Sequence, residues 1–276
     1  RVLLSRGCCY PFVMHIKKVV NWALFLLLLS VSCHASVEVI GSLKHLYKGM
    51  PGEVYTGEIK LQNSGDTDQE VRVYQTNLLY NFEEFTYYEE SSSHPRSNKG
   101  WINFSPKTLV IKAKEVRYIQ YEITIPDSSS ILGTYWSVIM VEGVNQIDPN
   151  QEGELKINTV TRYAIQMVTE INDPGEGSLK FLKPTLVTEG EKLFLAIDLV
   201  NTGEHYIAPE LSMELFDESG VSVKVLKARK KGLFPTTSAR FRLDLQDLQS
   251  EKTYECLIIA AGDNDDVFGL EYTLFF

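Results

Sequence analysis

Beyond residue 36 the chain alternates between apolar and polar residues with a period of two. Glu58-Ile59-Lys60-Leu61-Gln62-Asn63 shows it plainly: every second residue is apolar, as in a strand with one buried face. Read this way, strands are predicted near 37–46, 53–63, 70–79, 101–111, 115–125, 133–142 and 156–171. A second set follows near 178–187, 192–200, 209–217, 221–227, 237–246, 252–260 and 267–275. Short strands with turn signals at this spacing mean a sandwich, and no helix of more than a turn or two is required. The fold class expected is all-β, two tandem immunoglobulin-like β-sandwich domains.

The two sets of strands repeat one pattern. Glu58-Ile59-Lys60-Leu61-Gln62-Asn63-Ser64-Gly65-Asp66 reappears as Ala196-Ile197-Asp198-Leu199-Val200-Asn201-Thr202-Gly203-Glu204. Each is a strand ending in Asn-Ser/Thr-Gly-acid, a turn signal whose glycine is free to take φ > 0. Gly133-Thr134-Tyr135-Trp136-Ser137-Val138-Ile139 likewise parallels Lys252-Thr253-Tyr254-Glu255-Cys256-Leu257-Ile258. Asn63 to Tyr135 is 72 residues and Asn201 to Tyr254 is 53. The excess of 19 matches one polar stretch in the first copy, from about Asn81 to Gly100, read as an inserted loop. Tyr254-Glu255-Cys256 has the Tyr-x-Cys spacing of a tyrosine corner, without the facing cysteine: Ala196 and Ile197 lie near where it would be. Asp173-Pro174-Gly175-Glu176-Gly177 breaks the alternation and is read as a linker, 173–177, between domains over 36–172 and 178–276.

Residues 1–35 carry a different signal. From Met14, Lys17 and Lys18 precede an apolar run from Ala23 to Leu29, and Cys33-His34-Ala35 offers small residues at the −3 and −1 positions of a cleavage site. A cleaved export signal with Ser36 as the mature N-terminus is expected, residues 1–13 lying upstream of the start methionine. A lipoprotein anchored at Cys33 is the alternative. No later apolar stretch approaches the length of a membrane span. Expressed from Met14 in a Gram-negative host, the protein is expected in the periplasm beginning at Ser36. N-terminal sequencing that found Met14 retained would refute the signal.

Charge and cysteine content narrow the function. The first 35 residues hold Arg1, Arg6, Lys17 and Lys18 and no acid; taking these four from 27 basic residues leaves 23 against 36 acidic, near −13. That balance opposes binding to nucleic acid or anionic lipid. Of Cys8, Cys9, Cys33 and Cys256, only Cys256 would survive signal removal, so core packing alone must hold the sandwiches. His45, His94 and His205 are far apart, and no His-x-x-x-His, Cys-x-x-Cys or Gly-x-Ser-x-Gly spacing occurs, so no metal, cofactor or catalytic residue is assigned. Asp263-Asn264-Asp265-Asp266 lacks the spaced ligands of a calcium loop and reads as a turn. Phe82, Phe85, Tyr87 and Tyr88 in the inserted loop read equally as a contact surface or as cover for a core edge.

Three segments carry a family likeness. They are Trp101-Ile102-Asn103-Phe104-Ser105-Pro106 with its run to Ile125-Pro126, the strand Gly133 to Met140, and Thr159-Val160-Thr161-Arg162-Tyr163-Ala164-Ile165-Gln166-Met167. With them the first domain resembles the N-terminal domain of periplasmic pilus-assembly chaperones, over about residues 37–171. The resemblance implies a last strand along an exposed edge that lends alternating side chains to an incomplete partner sandwich, backbone bonds supplying affinity. Thr161, Tyr163, Ile165 and Met167 form one such face; the alternative is that these residues fill their own core. The resemblance also implies two cations in the cleft that hold a partner's terminal carboxylate, matched here by Lys44, where the family has an arginine, and Arg162, where it has a lysine. The expectation is a non-enzymatic periplasmic or secreted protein that binds another envelope or pilus protein by strand addition. A structural or adhesive envelope module is the alternative.

Overall fold

The computed structural model describes residues 37–90, 94–144, 160–172, 175–262 and 266–275. The signal, Cys33, the first two residues of the linker and residues 263–265 of the acidic turn lie outside these.

Ten strands build the first sandwich: β1 (Val37–Ile40), β2 (Lys44–Gly49), β3 (Val54–Asn63), β4 (Gln69–Tyr80), β5 (Thr86–Glu89), β6 (Ile102–Ser105), β7 (Thr108–Ile111), β8 (Val116–Thr124), β9 (Gly133–Val144) and β10 (Arg162–Ile171). One sheet runs β1-β3-β8-β6; the other runs β2-β10-β9-β4-β5, with β7 also on β4. The second sandwich comprises β11 (Leu179–Phe181), β12 (Thr185–Glu189), β13 (Lys192–Asn201), β14 (Glu210–Phe216), β15 (Ser222–Lys227), β16 (Ser238–Asp244), β17 (Thr253–Ala261) and β18 (Val267–Phe275). Here β13 carries β11, β12 and β16, and the facing sheet runs β15-β14-β17-β18. The chain is two tandem β-sandwiches of immunoglobulin-like type, as the alternation implies.

Three predicted strands are each divided in two. The 37–46 run leaves β3 after Ile40, turns at Gly41 (φ 116°) and joins the opposite sheet as β2, parallel to β10. Only glycine adopts that φ without strain, so the sheet switch is written at Gly41. The 101–111 run divides at Pro106, which has no N–H for a ladder: β6 pairs β8 in one sheet and β7 pairs β4 in the other. The 178–187 run divides before Pro184 into β11 and β12, both paired with β13. The short β5 falls inside the stretch expected to be loop.

The repeated Asn-Ser/Thr-Gly corner has one physical explanation in both copies. Asn63 and Asn201 are fully buried. The Asn63 Nδ2 donates to the carbonyls of Thr67 (2.8 Å), Ile111 (3.0 Å) and Lys112 (3.1 Å). The Asn201 Nδ2 donates to those of His205 (2.8 Å) and Leu233 (3.0 Å). In each copy the Oδ1 accepts from the glycine two residues on, Gly65 or Gly203, at 2.9 Å. Neither glycine takes positive φ, contrary to the expectation; the amide side chain, not glycine's freedom, sets the corner. Asn201→Ala takes a donor from the His205 and Leu233 carbonyls and an acceptor from the Gly203 amide, the Leu233 carbonyl keeping the Ile207 amide at 3.0 Å, and is expected to cost about 2 kcal/mol, measured by urea unfolding. The tyrosine corner also forms, with the Tyr254 hydroxyl donating to the Gln249 carbonyl at 3.3 Å.

Each sandwich has its own core. Ile59, Leu61, Ile119, Ile123, Ile139 and Ile165 centre the first; Ile197, Leu199, Met213, Phe241 and Ile258 centre the second. A third cluster lies between the domains: Leu78, Trp136, Val138, Met140 and Val168 from the first, Phe234 from the second. It explains why β9 is apolar on both faces. Ile139 and Val141 face the first core, while Trp136, Val138 and Met140 face the second domain.

Candidate protein-binding edge and interdomain cleft

The free edge of the first domain is set by where β2 meets β10. The parallel ladder starts at Gln166 opposite Lys44, with the Gln166 amide donating to the Leu43 carbonyl at 2.8 Å. On the other side β10 is paired with β9 along its whole length. Backbone direction alternates along a strand. Gln166 therefore points to β2, and Arg162 and Ala164 point the same way, where no described strand meets them. Thr161 points oppositely, its carbonyl accepting from Gly143 at 3.4 Å.

The side chains face elsewhere. Ile165 and Met167 are fully buried in the first core, Tyr163 is half-buried against it, and Thr161 is exposed. Ile165 and Met167 fill their own core, because their face of β10 packs into the first sandwich with Ile139 and Val141 of β9. What the edge offers outward is backbone.

The two cations do not converge. Lys44 sits in the interdomain cleft, its Nζ 3.3 Å from the centre of the Tyr206 ring and 5.7 Å from that of Phe234. Arg162 shares that face of the sheet but stands four residues up β10 from Lys44's neighbour Gln166, about 13 Å along the strand. It pairs with Glu142 at 3.0 Å, and Glu142 also accepts from the Tyr74 hydroxyl at 2.9 Å. The residues beside Lys44 are instead Gln166, Tyr206 and Phe234. Their part was not legible locally, because the first depends on a parallel register and the others on the second domain. Farther along β2, Lys48 meets Glu170 at 3.4 Å.

The end of β4 and the inserted stretch after it hold the cleft together. The Tyr80 hydroxyl donates to the Gly232 carbonyl (2.9 Å) and accepts from the Phe234 amide (3.1 Å). The Phe82 amide donates to the Ser238 hydroxyl at 3.0 Å. Glu84 takes a two-pronged bond from Arg242, at 2.7 and 2.6 Å, which holds its carboxyl down at about 2. Arg96 pairs with Glu204, and the Thr134 amide donates to the Glu204 carbonyl at 2.8 Å. At Gly133 (φ 81°) a Cβ would collide with that same carbonyl, so this close approach requires glycine. Asn98, fully buried, donates to the Met167 carbonyl at 2.9 Å and the Thr169 hydroxyl at 3.0 Å. His94 lies over Trp136, ring centres 4.3 Å apart, and burial lowers its pKa to about 4, so it is neutral there. Phe85, Tyr87 and Tyr88 remain exposed, the two tyrosines on β5 and Phe85 just before it. Of the inserted stretch, His94 lies against Trp136 of the interdomain cluster, while the rings of Phe85, Tyr87 and Tyr88 are exposed.

Among the described residues no group of three or more His, Cys, Asp and Glu is placed to hold a metal, and no helix is long and apolar enough to cross a membrane. Cys256 is buried without a disulfide partner, its thiol pushed up to about 11 by burial.

No family model matches the chain, and no curated protein does. Solved structures of similar fold include the E. coli chaperone DraB: 12% identity, 86% of this chain and 95% of that one, TM-score 0.43. A chain of the complex of Salmonella enterica SafA pilin with the SafB chaperone covers 88% of this chain and 99% of its own at 10% identity and TM-score 0.45. A chain of the CsuC–CsuE chaperone–tip adhesion subunit pre-assembly complex of Acinetobacter baumannii covers 87% and 99% at 14% identity and TM-score 0.44.

Proposed function

We propose that this chain is an exported, non-enzymatic, chaperone-like binding protein. It adds a strand of an envelope or pilus subunit to the free backbone edge of β10. One observation carries the reading: pairing with β2 begins only at Gln166, so Arg162 and Ala164 offer amides and carbonyls to an incoming strand. Thr161 and Val160 continue the same exposed end. Backbone bonds supply the affinity. Ile165 and Met167 stay in their own core and anchor the strand that is offered. Lys44, at the far end of this edge and beside the cleft, supplies a positive charge for a terminal carboxylate. Arg162, held by Glu142, orients the strand's start.

The test uses the open amide. Proline at 164 removes an N–H that points away from β9, so the native ladder survives while the added one is broken. Wild-type protein co-expressed in the periplasm is expected to keep soluble an immunoglobulin-like pilin lacking its last strand. Ala164→Pro should lose this activity with a melting temperature within about 5 °C of wild type. The exposed Arg162→Pro is the second variant should Ala164→Pro fold poorly. Full activity in a folded proline variant would refute strand addition here. The exposed Phe85, Tyr87 and Tyr88 favour a second reading, an adhesive envelope module; that reading expects activity lost on their removal and unchanged by proline at 164.

A further inference from the structure

We infer that the outer edge of β18 is a second strand-addition site, shaped for an extended segment of another protein with a basic centre and apolar ends. The site is in the second domain, apart from β10 and from the interdomain cleft.

The edge is long and uninterrupted. β18 spans nine residues, pairs β17 along its whole length without a bulge, and ends its sheet. The Gly262 amide donates to the Asp266 carbonyl at 2.7 Å, just beyond the facing pair Ala261 and Val267. Counting from that bond, Phe268, Leu270, Tyr272 and Leu274 exchange backbone bonds with β17. Val267, Gly269, Glu271, Thr273 and Phe275 turn their amides and carbonyls outward, and the same residues are exposed.

The other edge of this sheet is guarded. β15 has a register shift opposite Leu215 and Phe216, and it carries Lys224 and Lys227. Bulges and lysines are the usual protections of a free edge. β18 has neither. Its ends are apolar, with Val267 and Phe275 about two-thirds exposed.

The charge pattern selects the occupant. Glu271 is the central residue of β18. Two copies of this chain paired antiparallel in full register would set Glu271 against Glu271, which destabilises a sheet. Glu255, whose carboxylate accepts from the Thr273 hydroxyl at 3.0 Å, adds a second negative charge beside it. A lysine or arginine opposite Glu271, with apolar residues reaching Val267 and Phe275, satisfies all three positions.

Two capped nonapeptides of alternating valine and threonine decide the matter, one with lysine and one with glutamate at the centre. Hydrogen exchange is followed in the full chain at saturating peptide. The lysine peptide is expected to slow the amides of Val267, Gly269, Glu271, Thr273 and Phe275 by about tenfold or more, and the glutamate peptide to leave them unchanged. Glu271→Lys, an exposed change, should invert the preference. Equal slowing by both peptides, or none by the lysine peptide, overturns the proposal. A dimer in sedimentation whose β18 amides are protected without peptide also overturns it, in favour of a second copy. Slowing confined to Arg162 and Ala164 would support the β10 edge and refute this one.

Discussion

Lysine in place of Ile165 is expected to abolish the cooperative melt of the first domain. Ile165 is fully buried, opposite Ile139 of β9, in the centre of the first core. The change removes a buried hydrophobic side chain and brings an ammonium group where no described acid faces it. Each effect costs about 2–4 kcal/mol or more, and a domain's whole stability is about 5–15 kcal/mol. Ile165→Leu, which keeps volume and chemistry, should cost about 1 kcal/mol. Circular dichroism melts of both variants measure the difference. A Lys variant that melts like wild type would mean that β10 turns this residue outward.

Alanine in place of Phe234 is expected to uncouple the two domains. The Phe234 ring stacks on Trp136 with centres 4.6 Å apart and planes 7° apart, and it touches Tyr80 and Tyr206. Removing it from this buried site should cost about 3–4 kcal/mol. The loss falls on the joint, because Phe234 belongs to the interdomain cluster and to neither domain core. A single thermal transition should therefore become two. A chain beginning at Ser36 lacks Trp22, so Trp101 and Trp136 alone report its tryptophan fluorescence, and exposure of Trp136 should shift the emission to the red. One transition at an unchanged temperature would show that the domains do not lean on this ring.

Period-two alternation made the strands and the two sandwiches legible, because one-sided burial imprints itself residue by residue. The Asn-Ser/Thr-Gly repeat was legible as a corner but not in its mechanism, since nothing local says that Asn63 reaches Ile111 or that Asn201 reaches Leu233. Gly41 and Pro106 broke strands that alternation had joined; both residues were in view, but a sheet switch preserves the alternation that was being read. Lys44 lies against Tyr206 of the second domain, a neighbour that its own segment of sequence does not name. Arg162 does not stand beside it, because the offset between β2 and β10 is a tertiary quantity. The burial of Ile165 and Met167 could not be separated from an exposed alternating face, since alternation shows that β10 has an apolar side but not whether that side meets its own core or a partner.

The insertion in the first copy of the repeat gives the cleft a fixed geometry. Phe82 and Glu84 grip Ser238 and Arg242, Arg96 holds Glu204 at a second point, and Tyr80 at the end of β4 adds its bonds to Gly232 and Phe234. A pair of sandwiches joined only by a linker would sample many angles, and any ligand spanning them would have to freeze that motion. Here the freezing is done during folding. On the strand-addition proposal, a segment entering beside Lys44 would meet walls already in place, so more of its contact energy would be available as affinity and less would be lost to ordering the protein.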